Sequence, residues 1–292
     1  MHHITPHLWF DNNAKEAATF YASLFPQSKV DNVTTITGTP SGDADIVNFT
    51  LFDRPFMAIS AGPYFKLNPS ISLFVTFEDQ DEIDRVWNAL AHEGEVLMEY
   101  GTYPWATKYC WVNDRFGVSW QLSLSEHHQM KSRITPQLMF VGANAGDTQK
   151  AIETYTSIFP NSSIDLIAHY EAGEGDKPEL VKHARFTLNG DPFLAMGSSY
   201  EHKFKFNEAF SFIVYCETQE EIDHYWSKLS HVPEAEQCGW LKDQYGVSWQ
   251  IIPTAMQEMM ASKDKDKIAK VTQAFLQMKK FDIATLQAAY RS

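Results

Sequence analysis

The chain has 292 residues, of which 44% are hydrophobic and 21% charged, and this is the composition of a globular protein with room for two domains. Its 37 acidic and 24 basic residues give a formal net charge of −13, which argues against phosphate-backbone binding, so no nucleic-acid partner is expected. No stretch of the sequence has the length and hydrophobicity of a membrane span and no secretory leader is visible, so we expect a cytoplasmic protein without a membrane partner.

The first predicted elements are a strand, a helix and two further strands. Residues 4–10 are apolar and β-prone, which predicts a strand. Apolar residues then recur at helical spacing from Ala14 to Phe25, and Pro26 ends the helix. Residues 47–51 and 56–60 flank a short turn and predict two paired strands.

A second group of elements follows the same plan. Residues 71–77 predict a strand, and a buried stripe from Ile83 to Leu90 predicts a second helix that ends at Gly94. Three more strands complete the group, and they are predicted over residues 96–100, 109–112 and 118–122. The order of elements indicates a βαβββ unit that occurs twice.

The chain then repeats itself. The segment 4–10 recurs at 134–140, and a glycine-bounded strand that ends in Trp-Gln occurs at 116–121 and again at 245–250. Further matches lie between these in the same order, as expected of a duplicated domain. The second copy lacks a counterpart of the segment around residues 100–109.

The repeat predicts two domains, residues 1–125 and 134–253, joined by a linker over residues 125–133 that contains His127 and His128. Residues 254–292 have no counterpart in the repeat. Their apolar residues, rich in methionine, have helical spacing, and Asp282 is a candidate cap for a last helix. We therefore expect a helical tail whose methionine stripe is a packing surface.

Several segments resemble the PhnB-like branch of the glyoxalase/bleomycin-resistance, or vicinal oxygen chelate (VOC), superfamily. The matching segments are residues 134–136, 207–212, 219–226 and 238–250, and the first copy matches more loosely. Sequences of this branch often carry the label 3-demethylubiquinone-9 3-methyltransferase domain. The resemblance implies an α+β fold of tandem domains built of paired βαβββ modules, with a curved sheet around a small-molecule cleft. It also implies that the two domains form an internal pseudo-dimer, which takes the place of the homodimer of shorter relatives. Association of two such chains into a homodimer stays open.

The methyltransferase label is not supported by the sequence. A Rossmann-like methyltransferase needs a glycine-rich turn after its first strand, where the backbone approaches the cofactor. Residues 11–13 and 142–146, which follow the two first strands, are instead typical of helix starts.

The resemblance also indicates which positions would hold a metal ion in metal-dependent members of the superfamily, namely sites on the first, fourth, fifth and last strands of a domain. Here these positions carry His7, Ser60 or a neighbour, Ser72 and Gln121 in the first copy and Gln137, Gly197 or Ser198, Ser211 and Gln250 in the second. Of these side chains only His7 is a strong ligand type, and one imidazole does not hold a transition metal tightly. We therefore expect no cofactor and assign no metal ligand.

The same positions are the candidate ligand-binding residues. If the tryptophan of each Trp-Gln strand packs under the helices, Gln121 and Gln250 face the cleft, because neighbouring strand residues point to opposite sides. Trp105 and Tyr103 are candidates for an aromatic wall, although exposed loop aromatics are the alternative. His7 is the one candidate catalytic residue, as a base or hydrogen-bond donor, and its alternative is a structural histidine.

Three functions remain open at this point. The leading hypothesis is a PhnB-like protein whose cleft binds a small organic molecule, its main partner, without a tightly held metal. The second is a metal-dependent lyase, isomerase or dioxygenase that uses His7. The third is a scaffold whose cavities are filled by side chains.

Overall fold

The computed structural model describes residues 3–39, 42–124, 132–262 and 264–292. Most of the predicted linker, with His127 and His128, lies outside these residues. Within them, no helix has both the length and the apolar character that crossing a membrane requires.

The first copy contains the two predicted βαβββ units. Its elements are β1 (Thr5–Phe10), α1 (Ala14–Leu24), β2 (Lys29–Thr39), β3 (Gly42–Leu51), β4 (Arg54–Ser60), β5 (Ile71–Phe77), α2 (Gln80–Ala91), β6 (Glu95–Tyr103), β7 (Ala106–Asn113) and β8 (Ser119–Leu124). The strand that we could not locate from the sequence is β2. It is an edge strand rich in Thr and lies mostly exposed, so it lacks the apolar alternation that marks the others.

The second copy follows the same order with two differences. Its elements are β9 (Ile134–Val141), α3 (Thr148–Ile158), β10 (Ser163–His169), β11 (Val181–Leu188), β12 (Asp191–Ser198), β13 (Phe210–Cys216), α4 (Gln219–Leu229), β14 (Trp240–Lys242) and β15 (Ser248–Pro253). A 3₁₀ helix at Gly142–Asp147 precedes α3. The long β6–β7 hairpin of the first copy is reduced to the short strand β14, as the missing segment predicted.

The strands form two sheets, and each sheet takes one unit from each copy. The seven-stranded sheet has the order β14-β15-β13-β1-β4-β3-β2, and the eight-stranded sheet has the order β10-β11-β12-β9-β5-β8-β7-β6. Strand β1 pairs antiparallel with β13, and β5 pairs antiparallel with β9, so the copies are joined through continuous hydrogen-bonded sheets. The face of each sheet that points away from the helices, here called the concave face because the resemblance implies a curved sheet, is therefore shared between the copies. His7 and Gln121, which the resemblance places in one set of metal-binding positions, lie on different sheets.

The two Trp-Gln strands have the orientation that we considered from the sequence. Trp120 is fully buried and its ring lies 5.1 Å from that of Tyr21 in α1, while Trp249 lies 5.5 Å from Tyr155 in α3. The glutamine that follows each tryptophan therefore points to the concave side.

A buried aspartate fixes the turn before each of these strands. Asp243 accepts hydrogen bonds from the backbone N–H groups of Tyr245 and Val247, from Trp249 Nε1 at 2.9 Å and from the hydroxyl of Tyr155 at 2.7 Å. Asp114 holds the corresponding turn in the first copy, and burial raises the pKa of its carboxyl to about 6. Each carboxylate therefore links its turn to the strand that follows. In the second copy, Asp243 also links both of these to helix α3 through Tyr155.

The tail is helical, as predicted, and the structure divides it into three helices. They are α5 (Thr254–Met260), α6 (Lys265–Leu276) and α7 (Ile283–Arg291), and the side chain of Asp282 accepts a hydrogen bond from Thr285 N at the start of α7. Phe281, between α6 and α7, is 1% exposed and packs against Gly239 of the second copy. The tail is therefore part of the second copy's core.

Candidate functional site

A polar cluster lies at the centre of the concave face of the seven-stranded sheet. His7 of β1 lies opposite Ser211 of β13, with 3.3 Å between His7 Nδ1 and Ser211 Oγ. Gln250 of β15 donates from Nε2 to Ser211 Oγ at 3.0 Å. The ring of Trp240, on β14, stands edge-on to the imidazole with 5.2 Å between centroids. The second copy therefore supplies three of these four side chains.

His7 is deeply buried in this cluster. It is 2% exposed, and this burial lowers the pKa of its imidazole from the usual 6.5 to about 3. Trp240 and Trp9 pack against each other at 6.1 Å beside it. His7 is therefore a neutral imidazole at physiological pH with the ring of Trp240 edge-on to it, and these are the surroundings expected of a structural histidine.

A matching cluster occupies the eight-stranded sheet. Gln137 of β9 lies opposite Ser72 of β5, and Gln121 of β8 donates from Nε2 to Ser72 Oγ at 2.8 Å. Trp111 of β7 pairs in register with Gln121. Tyr109, also on β7, donates its hydroxyl to Gln121 Oε1 at 2.6 Å. All three predicted residues, Gln137, Ser72 and Gln121, thus come together here.

The two clusters correspond position by position. Gln137 takes the place of His7, Ser72 that of Ser211, Gln121 that of Gln250, and Trp111 that of Trp240. We did not single out Trp111 or Trp240 from the sequence. A signal was present in the sequence, because each tryptophan lies the same number of residues before the buried aspartate of its copy. The loss of the hairpin from the second copy obscured this alignment.

An aromatic wall rises beside the second cluster. The rings of Tyr103 and Trp105 lie 5.1 Å apart at 33°, and Tyr109 stands nearly perpendicular to both, at 5.4 and 5.8 Å. Trp105 is 63% exposed although it contacts two other rings. The predicted wall is therefore attached to the concave face through Tyr109, which hydrogen-bonds to Gln121.

Two basic residues of β11 share this face. Arg185 lies opposite Leu194, which in turn lies opposite Gln137, so all three are on the same side of the sheet. Burial and the neighbouring charge of Arg185 lower the pKa of His183. The corresponding positions of the first copy are Asn48 and Ile46, so the two concave faces differ in charge as well as in shape.

Ser60 does not join either cluster. Its Oγ accepts a hydrogen bond from Ala14 N at 3.0 Å, so it stabilises the start of α1 on the helix side of the sheet. The cause is strand alternation, which places Met57 and Ile59 on the face of His7 and turns Ser60 away from it. Gly197 holds the same position in the second copy, and a Cβ there would lie 2.5 Å from Ala145 O.

The donor atoms at these clusters do not fit a tightly bound transition metal. One cluster offers one imidazole, an amide and a hydroxyl, and the other offers two amides and a hydroxyl. In the part of the chain that the structure describes, no three His, Cys, Asp or Glu side chains are grouped to hold an ion. Neutral amides and hydroxyls are weak ligands for zinc, nickel or iron.

The sequence matches a known family over most of its length. The family described as 3-demethylubiquinone-9 3-methyltransferase matches twice, over residues 2–123 and 132–252. No curated protein matches the chain. The PhnB protein from Bacillus cereus is 39% identical over 42% of this chain and 100% of its own, with a TM-score of 0.40.

The fold is also similar to that of a solved structure that matches most of this chain. Glyoxalase I from Zea mays covers 88% of this chain and 94% of its own length with a TM-score of 0.57. The sequence identity is 8%, so this likeness concerns the fold alone.

Proposed function

Since the chain belongs to the family described as 3-demethylubiquinone-9 3-methyltransferase and has the PhnB-like vicinal oxygen chelate fold, we propose that it binds a small organic molecule on a concave sheet face without a tightly held metal. One observation carries the proposal: each concave face has a buried glutamine–serine hydrogen bond at its centre. Polar groups are costly to bury, and here they lie away from the helix-packed core.

The chemistry of these side chains suits recognition. Amide and hydroxyl groups donate and accept hydrogen bonds without changing charge, so they orient a ligand but do not move protons at neutral pH. His7, the candidate base, has a pKa of about 3 and is covered by Trp240, which makes it a poor proton acceptor. This favours binding over acid–base catalysis by His7.

The methyltransferase description does not fit the geometry. A Rossmann-like methyltransferase needs a glycine-rich turn after its first strand, where the backbone approaches the cofactor. In this chain β1 and β9 lead into α1 and a 3₁₀ helix, within mixed sheets whose concave faces carry the polar clusters. We derive no step through such a cofactor.

A cytoplasmic location is part of the proposal. Cys110, Cys216 and Cys238 are all free, and Cys110 and Cys216 are buried. Free buried thiols suit a reducing compartment. Alkylation of the denatured protein immediately after cell lysis checks this, and oxidised cysteines would contradict it.

Thermal unfolding across a panel of metabolites and drug-like molecules, in the presence of a chelator, tests the binding proposal. A ligand that binds only the folded state raises the melting temperature. We expect hits whose effect is lost in Gln121→Leu or in its matched counterpart Gln250→Leu. A panel without hits, or hits unaffected by both substitutions, would contradict the proposal. Stoichiometric metal that is lost in His7→Ala would favour the enzyme hypothesis instead.

A further inference from the structure

Two residues of opposite charge occupy corresponding positions in the two copies. Each stands at the start of a strand that follows a tight turn: Arg54 pairs with Leu51 in the first copy, and Asp191 pairs with Leu188 in the second. A proline and a phenylalanine follow in both copies, so the correspondence holds position by position. Both side chains are buried, with exposed fractions of 7% and 6%. The duplicated fold therefore buries a base in one copy and an acid in the other.

Each of these side chains reaches across to the other copy. Arg54 donates from Nη1 to the carbonyl oxygen of Ile134, the first residue of β9, at 3.2 Å. Asp191 accepts from the backbone N–H of Ile4, at the corresponding position before β1, at 2.6 Å. Arg54 Nη1 also lies 3.5 Å from the carbonyl oxygen of Pro192, the residue next to Asp191. The two cross-copy contacts are therefore equivalent in place, with the roles of donor and acceptor exchanged.

The buried guanidinium depends on the charge of Asp191. Arg54 Nε and Nη2 have no hydrogen-bond partner among the described residues, and the centroid of the Phe193 ring lies 5.9 Å from Arg54 Cζ. Burial lowers the pKa of Arg54 to about 10, and the negative charge of Asp191 acts against this shift. A buried charge that loses its partner of opposite sign is strongly destabilising. Like charges at these two positions are therefore unfavourable.

Other contacts between the copies do not distinguish one copy from the other. Asn68 donates to the carbonyl oxygen of Lys205 at 3.0 Å, and the corresponding Asn207 donates to that of Lys66 at 2.8 Å. The strand pairs β1–β13 and β9–β5 are likewise equivalent, and both are antiparallel. Two first copies from separate chains would form these same contacts, because the contacts use identical side chains or the backbone alone.

We propose that Arg54 and Asp191 select the partner of each copy, so that a first copy pairs with a second copy and not with another first copy. Pairing of two first copies would bury two guanidinium groups together, and pairing of two second copies would bury two carboxylates together. Self-pairing of either kind would join separate chains, since each chain carries one of each copy. The opposite charges therefore direct the pairing to unlike copies.

Single charge reversals in the full chain reproduce the two disfavoured interfaces. Asp191→Arg places arginine in both copies, as in the pairing of two first copies, and Arg54→Asp places aspartate in both. We expect each substitution to lower the urea midpoint of unfolding by about 1–2 M, the loss for one broken buried pair. Lys182→Glu is the control, because Lys182 and Glu174 form an ion pair within one copy and their side chains are 44% and 36% exposed. It should shift the midpoint by less than about 0.5 M.

The double reversal separates partner selection from a general loss of packing. In Arg54→Asp/Asp191→Arg the two charges are again opposite, and the duplicated fold offers each new side chain a backbone partner. The aspartate meets the N–H of Ile134, and the arginine meets the carbonyl of Ile4. We expect this variant to recover at least half of the summed midpoint losses of the single variants, or to fold cooperatively where they do not fold.

Two results would overturn the proposal. The first is a double variant that recovers less than half of the summed losses or fails to fold, because the charges would then not choose between partners. The second is a pair of single variants that are as stable as Lys182→Glu, because like charges at this position would then not oppose self-pairing.

Discussion

Replacing His7 with glutamine tests the buried cluster of the seven-stranded sheet. Glutamine occupies the corresponding position, Gln137, in the other sheet, so the substitution is one that this fold already accommodates. The pKa of His7 is lowered to about 3 by burial, whereas the unfolded chain protonates it near the usual 6.5. The unfolded state therefore takes up a proton that the folded state does not.

The sign and size of the effect follow from this difference. The stability that His7 contributes as a neutral group is fully present above about pH 6.5 and is lost as the pH falls towards 3. Between pH 7.5 and pH 5 the loss amounts to about 2 kcal/mol. A glutamine does not titrate, so His7→Gln should avoid this loss. Asp114 works in the opposite direction, since its raised pKa favours the folded state at low pH, and it is common to both proteins.

Urea unfolding at pH 7.5, 6.5 and 5, followed by tryptophan fluorescence, measures the difference. We expect His7→Gln to gain about 2 kcal/mol relative to the wild type as the pH is lowered across this range. His92→Gln serves as the control, since the side chain of His92 is 71% exposed and should show no such gain. A stability difference between His7→Gln and the wild type that stays constant with pH would refute the buried, neutral histidine.

Three further predictions concern the core, the tail and metal. Asp243→Asn places an amide N–H group against the donors whose hydrogen bonds the carboxylate accepts, and should lower the free energy of unfolding by about 1–3 kcal/mol in urea titrations. The control Asp11→Asn, at an exposed position, should leave the free energy of unfolding unchanged. Gly239→Ala should cost about 2–5 kcal/mol in the same assay, because its Cβ would lie 2.5 Å from the Phe281 ring; Gly142→Ala, also at positive φ but in open space, should cost about 1 kcal/mol. Equal losses within either pair would contradict the packing described. Dialysis against zinc and nickel, followed by elemental analysis, should leave less than one ion per chain, and a full equivalent would contradict the weak donor set.

Much of the local structure was predictable because it depends on local patterns. The apolar stripes of α1 and α2, the cap at Asp282 and the direction of Trp120 follow from periodicities of the sequence, and the structure confirms them. The strand β2 was not located, because its exposed polar residues carry no such pattern.

The composition of the candidate site was less predictable. Repeats show which residues correspond, but they do not show that a unit of one copy pairs with a unit of the other. The grouping of His7 with Gln250 rather than Gln121 depends on that pairing. Ser60 was assigned to the site by resemblance, whereas the side of the sheet to which its side chain points depends on the register of β4. The role of the tail depends on contacts between α4 and Phe281, which are far apart in sequence.

Isothermal titration of the strongest hit from the ligand panel, with the protein treated with chelator, tests the central claim most directly. We predict heat of binding in the absence of metal, and heat that is abolished by Gln121→Leu or by Gln250→Leu. Binding that appears only after a divalent metal is restored, or that survives in both variants, would contradict a metal-free site at the glutamine–serine clusters.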